Sequence, residues 1–326
     1  MHADPFALRE LLGPSAALCR RALTGEQGVS LPAFTDHHVH LHLIDGSALP
    51  AGGIAAVVDL GGDPVALARS EHDGIPRVSY AGAFLTVPGG YPSGRSWAPP
   101  ETVREVNDPS THPGVPGGAA TAVDEQASFG ASVVKVVLHA DTGRTMDAAT
   151  LAAIVSSARE RGLPVVAHVE GTGTARMAVD AAVDVLAHTP FSEELSPRLI
   201  GRAINDGQRW ISTLDIHRDD AAAAAIARTN LSIFAAAGGT VLYGTDLGNG
   251  DLPLGVDVRE LEALEAAGIR GGALIQTLTV PWPAADALGG VATFIAGDPP
   301  AGSADVARWL GGATVVPIEE LIHDDH

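Results

Sequence analysis

Short runs of β-branched and other apolar residues alternate with segments of helical length along most of this chain. Eight such runs occur in order, and we predict that each forms a strand. The predicted strands are 33–41, 53–60, 77–85, 132–138, 164–169, 183–189, 209–216 and 240–247. Ala-rich stretches of helical length, such as 147–161 and 219–237, lie between most of them. This alternation over about 250 residues predicts an α/β fold, a (β/α)8 TIM barrel.

The predicted barrel spans residues 31–290. A doubly wound open sheet is the alternative, but no Gly-x-Gly-x-x-Gly fingerprint follows the first strand. Residues 1–30 are predicted to be a helical extension with one amphipathic helix over 5–23. Residues 291–326 are predicted to be a short C-terminal segment with weak strand signals at 291–295 and 313–316.

One connection is much longer than the others. Residues 86–130 are rich in Pro and Gly and include Tyr91, Arg95 and Trp97. Long loops in compact domains are usually functional lids or disordered insertions. We predict a lid or binding loop.

The composition excludes several kinds of partner. A formal charge of −19 argues against binding to nucleic acid or to an anionic membrane surface. The lone cysteine, Cys19, excludes an intrachain disulfide framework and is typical of a reducing compartment. The N-terminal residues lack the features of a signal peptide, and no apolar run approaches the ~20 residues that span a bilayer. We therefore expect a soluble, cytoplasmic protein. The net charge says little about a small substrate, which meets a local field.

Lys135 is the only lysine in the chain and lies within a predicted strand that reads as buried on both faces. Burial disfavours the charged ammonium form and lowers the pKa of a lysine, so a neutral amine becomes available for chemistry. The alternative is a coding bias against lysine that spared one residue. That residue would then extend to the strand end or pair with a buried carboxylate.

Polar residues occur near the carboxyl ends of five predicted strands, where a barrel places its active site. These residues are His38, His40, Lys135, His168, His188 and Asp246. His38 and His40 are two positions apart, so their side chains lie on the same side of the strand. Imidazole and carboxylate groups are suitable ligands for zinc and similar ions. Taken singly, His188 is also explained as a core histidine and Asp246 as a helix cap.

The same residues in their local sequences resemble the amidohydrolase superfamily, and more narrowly its prolidase-like and imidazolonepropionase-like branch. The matching segments are Thr35-Asp36-His37-His38-Val39-His40-Leu41, Lys135, Val166-Ala167-His168-Val169-Glu170-Gly171, Val185-Leu186-Ala187-His188 and Tyr243-Gly244-Thr245-Asp246. The resemblance implies two divalent metal ions, with Zn²⁺ as the expected metal.

The resemblance also implies a role for each of these residues. His38 and His40 would hold the more buried ion, and His168 and His188 the more exposed one. Lys135, carbamylated by carbon dioxide, would bridge the two ions. Asp246 would bind the buried ion and act as the proton shuttle for a metal-bridging hydroxide that attacks a carbonyl group.

The chain also departs from the family pattern. The accessory β-sandwich that relatives build from both chain ends is expected to be missing or much reduced. Gly89-Gly90-Tyr91 stands where relatives often carry Gly-Gly-His, so the family's usual substrate contact does not transfer to Tyr91. Deaminases of the superfamily typically show His-x-x-Glu after strand five and lack the bridging lysine. Because this chain has His168-Val169-Glu170 and Lys135, hydrolysis is favoured over deamination.

Further polar and aromatic residues near the predicted rim are candidates for substrate contacts, with a solvated loop position as the alternative for each. These candidates are Tyr91, Arg95, Trp97, His139, His217 and Arg218. Asp36 is a candidate acceptor for a ring nitrogen of a ligand histidine, or else a partner of a nearby backbone amide.

The sequence thus predicts a metal-dependent hydrolase that cleaves an amide, peptide-like or cyclic amide bond of a small molecule. A lactonase or other ester hydrolase is the enzymatic alternative, because the same nucleophile attacks either acyl group. A metal-binding scaffold without turnover is the non-enzymatic alternative. A homo-oligomer is an open alternative to a monomer, since superfamily relatives are often oligomeric.

Overall fold

The computed structural model of the chain describes residues 4–141, 144–283 and 288–323. Within these ranges the strands are β1 (Ala17–Arg21), β2 (Gln27–Leu31), β3 (Phe34–Val39), β4 (Ile54–Asp59), β5 (Arg77–Tyr80), β6 (Phe84–Thr86), β7 (Val103–Glu105), β8 (Val134–His139), β9 (Val165–Glu170), β10 (Val185–Leu186), β11 (Arg209–Ile211), β12 (Thr240–Leu242), β13 (Val291–Ala296), β14 (Ala313–Pro317) and β15 (Leu321–His323). The α-helices are α1 (Pro5–Leu12), α2 (Pro64–Arg69), α3 (Ala119–Ser128), α4 (Ala148–Glu160), α5 (Thr174–Asp180), α6 (Pro197–Asn205), α7 (Ala221–Ala236), α8 (Val258–Ala266), α9 (Gly272–Thr279) and α10 (Val306–Leu310).

Two parallel sheets form the centre of the molecule. One has seven strands in the order β12-β11-β10-β9-β8-β6-β7, and the other has three in the order β3-β4-β5. The three-stranded sheet adjoins the larger sheet at both of its own edges, β3 and β5. Val39 of β3 forms a parallel bridge with Leu247 beyond β12, and the amide of Ser132 donates to the carbonyl oxygen of Tyr80 at 2.9 Å. Each of the eight predicted strands overlaps an observed strand, so the predicted mixed α/β fold is confirmed.

Burial and helix capping explain why these segments form strands and helices. All six residues of β4 and of β8 are buried, as expected for strands covered on both faces. Several helices begin at an aspartate whose carboxylate accepts a backbone hydrogen bond in the first turn. Asp147 accepts from Thr150 at 2.7 Å, and Asp220 accepts from the second and third residues of α7. Because the central strands are parallel, their carboxyl ends meet on one side of the molecule.

A third, antiparallel sheet joins the two ends of the chain, in the order β14-β13-β2-β1-β15. The prediction of a mostly helical N-terminal extension is therefore wrong beyond Leu12. There the helix ends at Gly13, which has a φ of 97°. β1 and β2 follow and pair with each other and with C-terminal strands. The accessory β structure expected to be missing or much reduced is present as a five-stranded sheet.

Long-range pairing gives this sheet its own small core. Cys19 of β1 packs in a cluster with Phe294 of β13, Val316 of β14 and Leu321 of β15. The two weak C-terminal strand signals are confirmed as β13 and β14. No local pattern in the first 30 residues reveals these distant partners, so the strands there were missed.

The long connection 86–130 contains a strand and a helix. β7 pairs in parallel with β6, and α3 closes the segment before β8. Its first part carries Tyr91 and Trp97 to the carboxyl ends of the central strands. Among the described residues, no helix is both long enough and apolar enough to cross a membrane.

Candidate metal centre

A cavity of about 460 Å³ opens at the carboxyl ends of the central strands. All six predicted metal-ligand candidates line it: His38, His40, Lys135, His168, His188 and Asp246. The other lining residues are Leu43, Phe84, Tyr91, Trp97, Val137, Glu170, Phe191, Ile216, His217, Gly248, Asn249 and Gly250. The structure therefore brings together side chains that lie at or just beyond the carboxyl ends of five strands that are far apart in sequence.

Backbone carbonyl groups hold the imidazole rings of His38, which lies in β3, and of His40, which follows β3. His38 Nδ1 lies 2.9 Å from the carbonyl oxygen of Ala187, and His40 Nδ1 lies 3.0 Å from that of Gly61. A carbonyl oxygen only accepts hydrogen bonds, so Nδ1 carries a proton in both rings. Gly61 has a φ of 151°, and a Cβ there would lie 2.1 Å from the ring of Phe84, so this carbonyl position depends on glycine. Both imidazoles are thus fixed with Nε2 directed into the cavity.

Asp246 lies opposite both Nε2 atoms. Its Oδ1 atom is 3.1 Å from His38 Nε2 and 3.2 Å from His40 Nε2. All three side chains are buried, and together they form a group of ligand atoms that can hold a metal ion. Asp246 adopts a φ of 58°, an uncommon backbone conformation that is often found at functional sites. Asn249 Nδ2 donates to the second carboxylate oxygen, Oδ2, at 2.9 Å.

This arrangement is unfavourable without a cation. Burial lowers the pKa of His38 well below its usual value, with Lys135 adding to the effect, so the ring is neutral and Nε2 presents a lone pair to a carboxylate oxygen. Burial opposes protonation of His40 as well, but the hydrogen bond and charge of Asp246 outweigh it and raise its pKa. Protonated His40 can donate to Asp246, whereas neutral His38 cannot.

A divalent cation shared by the three atoms would remove this conflict. Two donors that are each ~2.1 Å from one ion lie ~3.0–3.4 Å apart at octahedral or tetrahedral angles. The observed separations of 3.1 and 3.2 Å fall in this range. The electrostatics also suit an ionised ligand. Burial would raise the pKa of Asp246, but the hydrogen bond and charge of His40 hold it well below its usual range.

His168 and His188 form the other side of the cavity, with ring centroids 5.0 Å apart. His168 Nε2 lies 3.2 Å from Glu170 Oε2, a carboxylate oxygen that only accepts. His168 therefore carries its proton on Nε2 when neutral and keeps the Nδ1 lone pair. His188 Nδ1 lies 2.9 Å from the hydroxyl of Thr213, whose φ of 43° is rare for a β-branched residue. In metal-binding histidines, the ring nitrogen that does not bind the metal typically makes a contact of this kind.

Lys135 is 2 % exposed and lies in β8 beside the two histidine pairs. Burial lowers its pKa to about 7, although the charges of Asp246 and Asp59 oppose that shift. A substantial fraction of the amine is therefore neutral near pH 7, as the sequence predicted from burial. A neutral amine is the form that reacts with electrophiles such as carbon dioxide.

Asp36 does not contact a ligand ring. Its carboxylate accepts hydrogen bonds from the amide of His38 at 3.0 Å and from the amide and hydroxyl of Thr245. The expectation that it would orient a histidine ring nitrogen is wrong, and its alternative as a partner of nearby backbone amides is confirmed. Through these bonds it ties β3 to the segment that carries Asp246. Burial raises the pKa of Asp36 to about 7 despite these hydrogen bonds.

Three of the six predicted substrate contacts line the cavity: Tyr91, Trp97 and His217. Three do not. Arg95 is exposed, with its guanidinium 5.5 Å from the centre of the Tyr91 ring. His139 is buried with its ring stacked against Tyr91, and Arg218 pairs with Asp215 at 3.0 Å.

Sequence reasoning missed Glu170, Asn249, Phe84 and Phe191 as cavity residues. Glu170 had a detectable signal, because it lies two positions after His168 in β9 and therefore projects to the same side. Asn249 and Phe191 lie in loops after predicted strands, where the direction of a side chain does not follow from a repeating pattern.

No protein-family model and no curated protein matches this sequence. Solved structures do resemble the chain. A Xaa-Pro dipeptidase with methionine bound in the active site is 17% identical, over 90% of this chain and 86% of that chain, with a TM-score of 0.69. A prolidase in complex with N-methylphosphonate-L-proline is 18% identical, over 90% of this chain and 86% of that chain, with a TM-score of 0.67.

An ochratoxinase from A. niger is 21% identical, over 77% of this chain and 70% of that chain, with a TM-score of 0.62. At these identities the comparisons show a shared fold. The predicted resemblance to the amidohydrolase superfamily is thereby confirmed at the level of the fold, and these structural neighbours are hydrolases by name.

Proposed function

We propose that this chain is a metal-dependent hydrolase that cleaves an amide, peptide-like or cyclic amide bond of a small molecule. One observation carries the proposal: the Nε2 atoms of His38 and His40 and the Oδ1 atom of Asp246 converge, buried, on one point of the cavity. The fold shared with a Xaa-Pro dipeptidase and a prolidase supports the same reaction class.

The proposed centre contains two divalent ions, expected to be Zn²⁺, with His38, His40 and Asp246 on the more buried ion. His168 and His188 would hold the more exposed ion. Carbamylated Lys135 would bridge the two. The lowered pKa of Lys135 supports this role, because carbamate formation needs the neutral amine.

When bound, the ions would lower the pKa of a water molecule and polarise the substrate carbonyl. The protein residues then have defined tasks. Asp246 accepts the proton of the attacking water and passes it to the leaving nitrogen. Asn249, hydrogen-bonded to Oδ2, orients the carboxylate so that Oδ1 faces the histidines. Tyr91, Trp97 and Phe191 exclude water and contact apolar parts of the substrate.

We further propose that the two parallel sheets, which adjoin at the two edges of the three-stranded sheet, together form the eight-stranded (β/α)8 barrel. In this assignment β5 and β6 are two parts of the third barrel strand, since β5 pairs with β4 and β6 pairs with β8. A barrel gives one common rim for all six proposed ligands. A cytoplasmic location remains part of the proposal.

The test is hydrolysis of a panel of dipeptides, N-acyl amino acids, cyclic amides and lactones by protein loaded with divalent metal. We expect turnover of at least one amide class, and paired amide and lactone substrates separate amidase from lactonase activity. Asp246→Asn should lower kcat by about 10²–10⁴-fold, as loss of a general acid–base predicts. The exposed Asp251→Asn is the matched control and should leave kcat unchanged.

Two results would count against the proposal. A loaded protein that turns over none of the panel would favour the non-catalytic scaffold. Full activity and unchanged metal content in Lys135→Ala would exclude the bridging role.

A further inference from the structure

We propose that Asp59 is a positioning residue that holds both the ring and the backbone of His40, and so sets how tightly the more buried ion binds. This inference rests on the metal centre of the proposed function and adds a residue that reaches the ion only through His40. Asp59 is the last residue of β4 and does not occur among the described residues that line the cavity. A bound ion or substrate therefore does not touch it.

A carboxylate is unexpected at this place in the fold. The rest of β4 consists of one isoleucine, two alanines and two valines, and all six residues of the strand are buried. Asp59 itself is 0 % exposed. Burying a carboxylate costs free energy unless hydrogen bonds satisfy it, and an apolar residue would continue the strand without that cost. The presence of Asp59 is therefore explained by the groups that it holds.

The two carboxylate oxygens of Asp59 hold the chain on both sides of His40. Oδ2 accepts a hydrogen bond from the amide of Leu41, the residue after His40, at 2.8 Å. Oδ1 accepts from the amide of Gly61 at 2.9 Å, and the carbonyl oxygen of Gly61 accepts in turn from His40 Nδ1 at 3.0 Å. Because a carboxylate supplies two acceptor atoms at once, one side chain fixes both the backbone after β3 and the carbonyl that orients the ring.

These contacts determine where His40 Nε2 lies. The amide of His40 donates to the carbonyl oxygen of Leu247 at 2.8 Å, so its backbone is held from that side as well as through Leu41. With Nδ1 fixed on Gly61, the ring keeps Nε2 at 3.2 Å from Asp246 Oδ1. Groups that orient a ligand histidine typically contribute about 10–100-fold to metal affinity. We expect a contribution of this size from Asp59.

Two competing explanations are that Asp59 only joins β3 to β4, or that it attracts both ions by its charge. A thermodynamic cycle separates them from positioning, because a positioning role requires His40 and the other two roles do not. The cycle compares Asp59→Asn in the wild-type chain and in the His40→Asn variant. Asparagine has nearly the shape of aspartate but a single acceptor oxygen, so one of the two amides loses its partner.

The zinc affinity of each full-length variant is measured by competition with a chelator. In the wild-type background, Asp59→Asn should weaken binding of the more buried ion by about 10–100-fold and change that of the other ion by less than about 3-fold. In the His40→Asn background, the same substitution should change the affinity for the remaining ion by less than about 3-fold. Equal losses in both backgrounds, or no loss in either, would overturn the proposal.

Cobalt gives a second readout in the single variant. Loading with Co²⁺ should give different visible absorption spectra for the wild type and Asp59→Asn, because the spectrum of this ion depends on its coordination geometry. Identical spectra would overturn the positioning role. If Asp59→Asn does not fold, Asp59→Ser, which is smaller and also keeps one acceptor oxygen, replaces it in both backgrounds with the same expected losses.

Asp63→Asn is the matched control. The carboxylate of Asp63 also accepts a hydrogen bond from a backbone amide two residues on, that of Val65 at 2.9 Å, but it holds the first turn of α2 and not a histidine. We expect this variant to match the wild type in both zinc affinities and in the cobalt spectrum. A loss in Asp63→Asn as large as that in Asp59→Asn would overturn the proposal, since the effect would then not depend on His40.

Failure of this inference and failure of the proposed function give different results. If Asp59→Asn selectively loses affinity for the more buried ion but the wild type hydrolyses no amide, the positioning role stands and the proposed function fails. If amides are hydrolysed and Asp59→Asn binds both ions as the wild type does, the function stands and the positioning role is wrong. A wild-type chain that binds no divalent ion would overturn both.

Discussion

The buried carboxyl group of Glu260 gives a prediction of stability that does not depend on the metal centre. Glu260 lies in α8 and is fully buried, and its Oε2 atom accepts a hydrogen bond from the amide of Asp215 at 2.7 Å. Its other oxygen, Oε1, is buried without a partner among the described residues. Burial raises the pKa of Glu260 from 4.5 to about 7. The folded protein therefore binds this proton more tightly than the unfolded chain does.

Because the pKa of Glu260 is higher in the folded state, its stabilising contribution to the free energy of unfolding is fully present below the pKa of the unfolded chain. This contribution is lost as the pH rises through the pKa of the folded protein. The difference between 4.5 and about 7 corresponds to ~3 kcal/mol of unfolding free energy lost between about pH 4.5 and pH 8. Glu260→Gln keeps an oxygen that accepts from Asp215 and removes the titration. We expect the variant to match the wild type near pH 5 and to be more stable by ~2–3 kcal/mol at pH 8.

The assay is urea unfolding of both proteins at a series of pH values, with the difference in free energy of unfolding taken at each pH. Taking the difference cancels the other buried acids, such as Asp36, and the pH dependence of metal binding. The reasoning would be refuted if the free energies of unfolding of the two proteins changed in parallel with pH. It would also be refuted if the stability of the variant relative to the wild type fell between pH 5 and pH 8.

Two further predictions concern a ligand support and the core. Thr213→Val removes the hydroxyl that contacts His188 Nδ1, and we expect about 10–100-fold weaker binding of the more exposed ion, measured by chelator competition. Thr229→Val, at an exposed position of α7, is the matched control, and equal affinities in all three proteins would contradict this prediction. Trp210→Ala removes a fully buried ring stacked 3.9 Å from that of Phe234, and should cost ~3–5 kcal/mol in urea unfolding. A loss under ~1 kcal/mol would show that the site repacks.

The central strands and the proposed ligands could be predicted because they follow a repeating physical rule. Parallel strands covered on both faces read as apolar runs, and their carboxyl ends converge on one rim. A polar residue at such an end is therefore located by its strand alone. This reasoning brought His38, Lys135 and Asp246 together, although β3, β8 and the segment after β12 are far apart in sequence.

The rest depends on contacts that no local pattern encodes. β1 and β2 are strands because β13 and β15 from the other end of the chain pair with them. The Arg95 side chain points away from the cavity and lies over the ring of Tyr91, and this orientation depends on the path of an irregular loop. The partner of Asp36 was misassigned because backbone carbonyls, which any residue supplies, hold the rings of His38 and His40.

The metal content of the purified protein tests the central claim most directly. We predict that inductively coupled plasma mass spectrometry will find two divalent ions per wild-type chain. The His38→Asn, His40→Asn double variant should lose the more buried ion. The same double variant, checked by circular dichroism, should retain the fold. A wild-type chain that binds no divalent ion when supplied with zinc, or a double variant that binds as much as the wild type, would contradict the proposed centre.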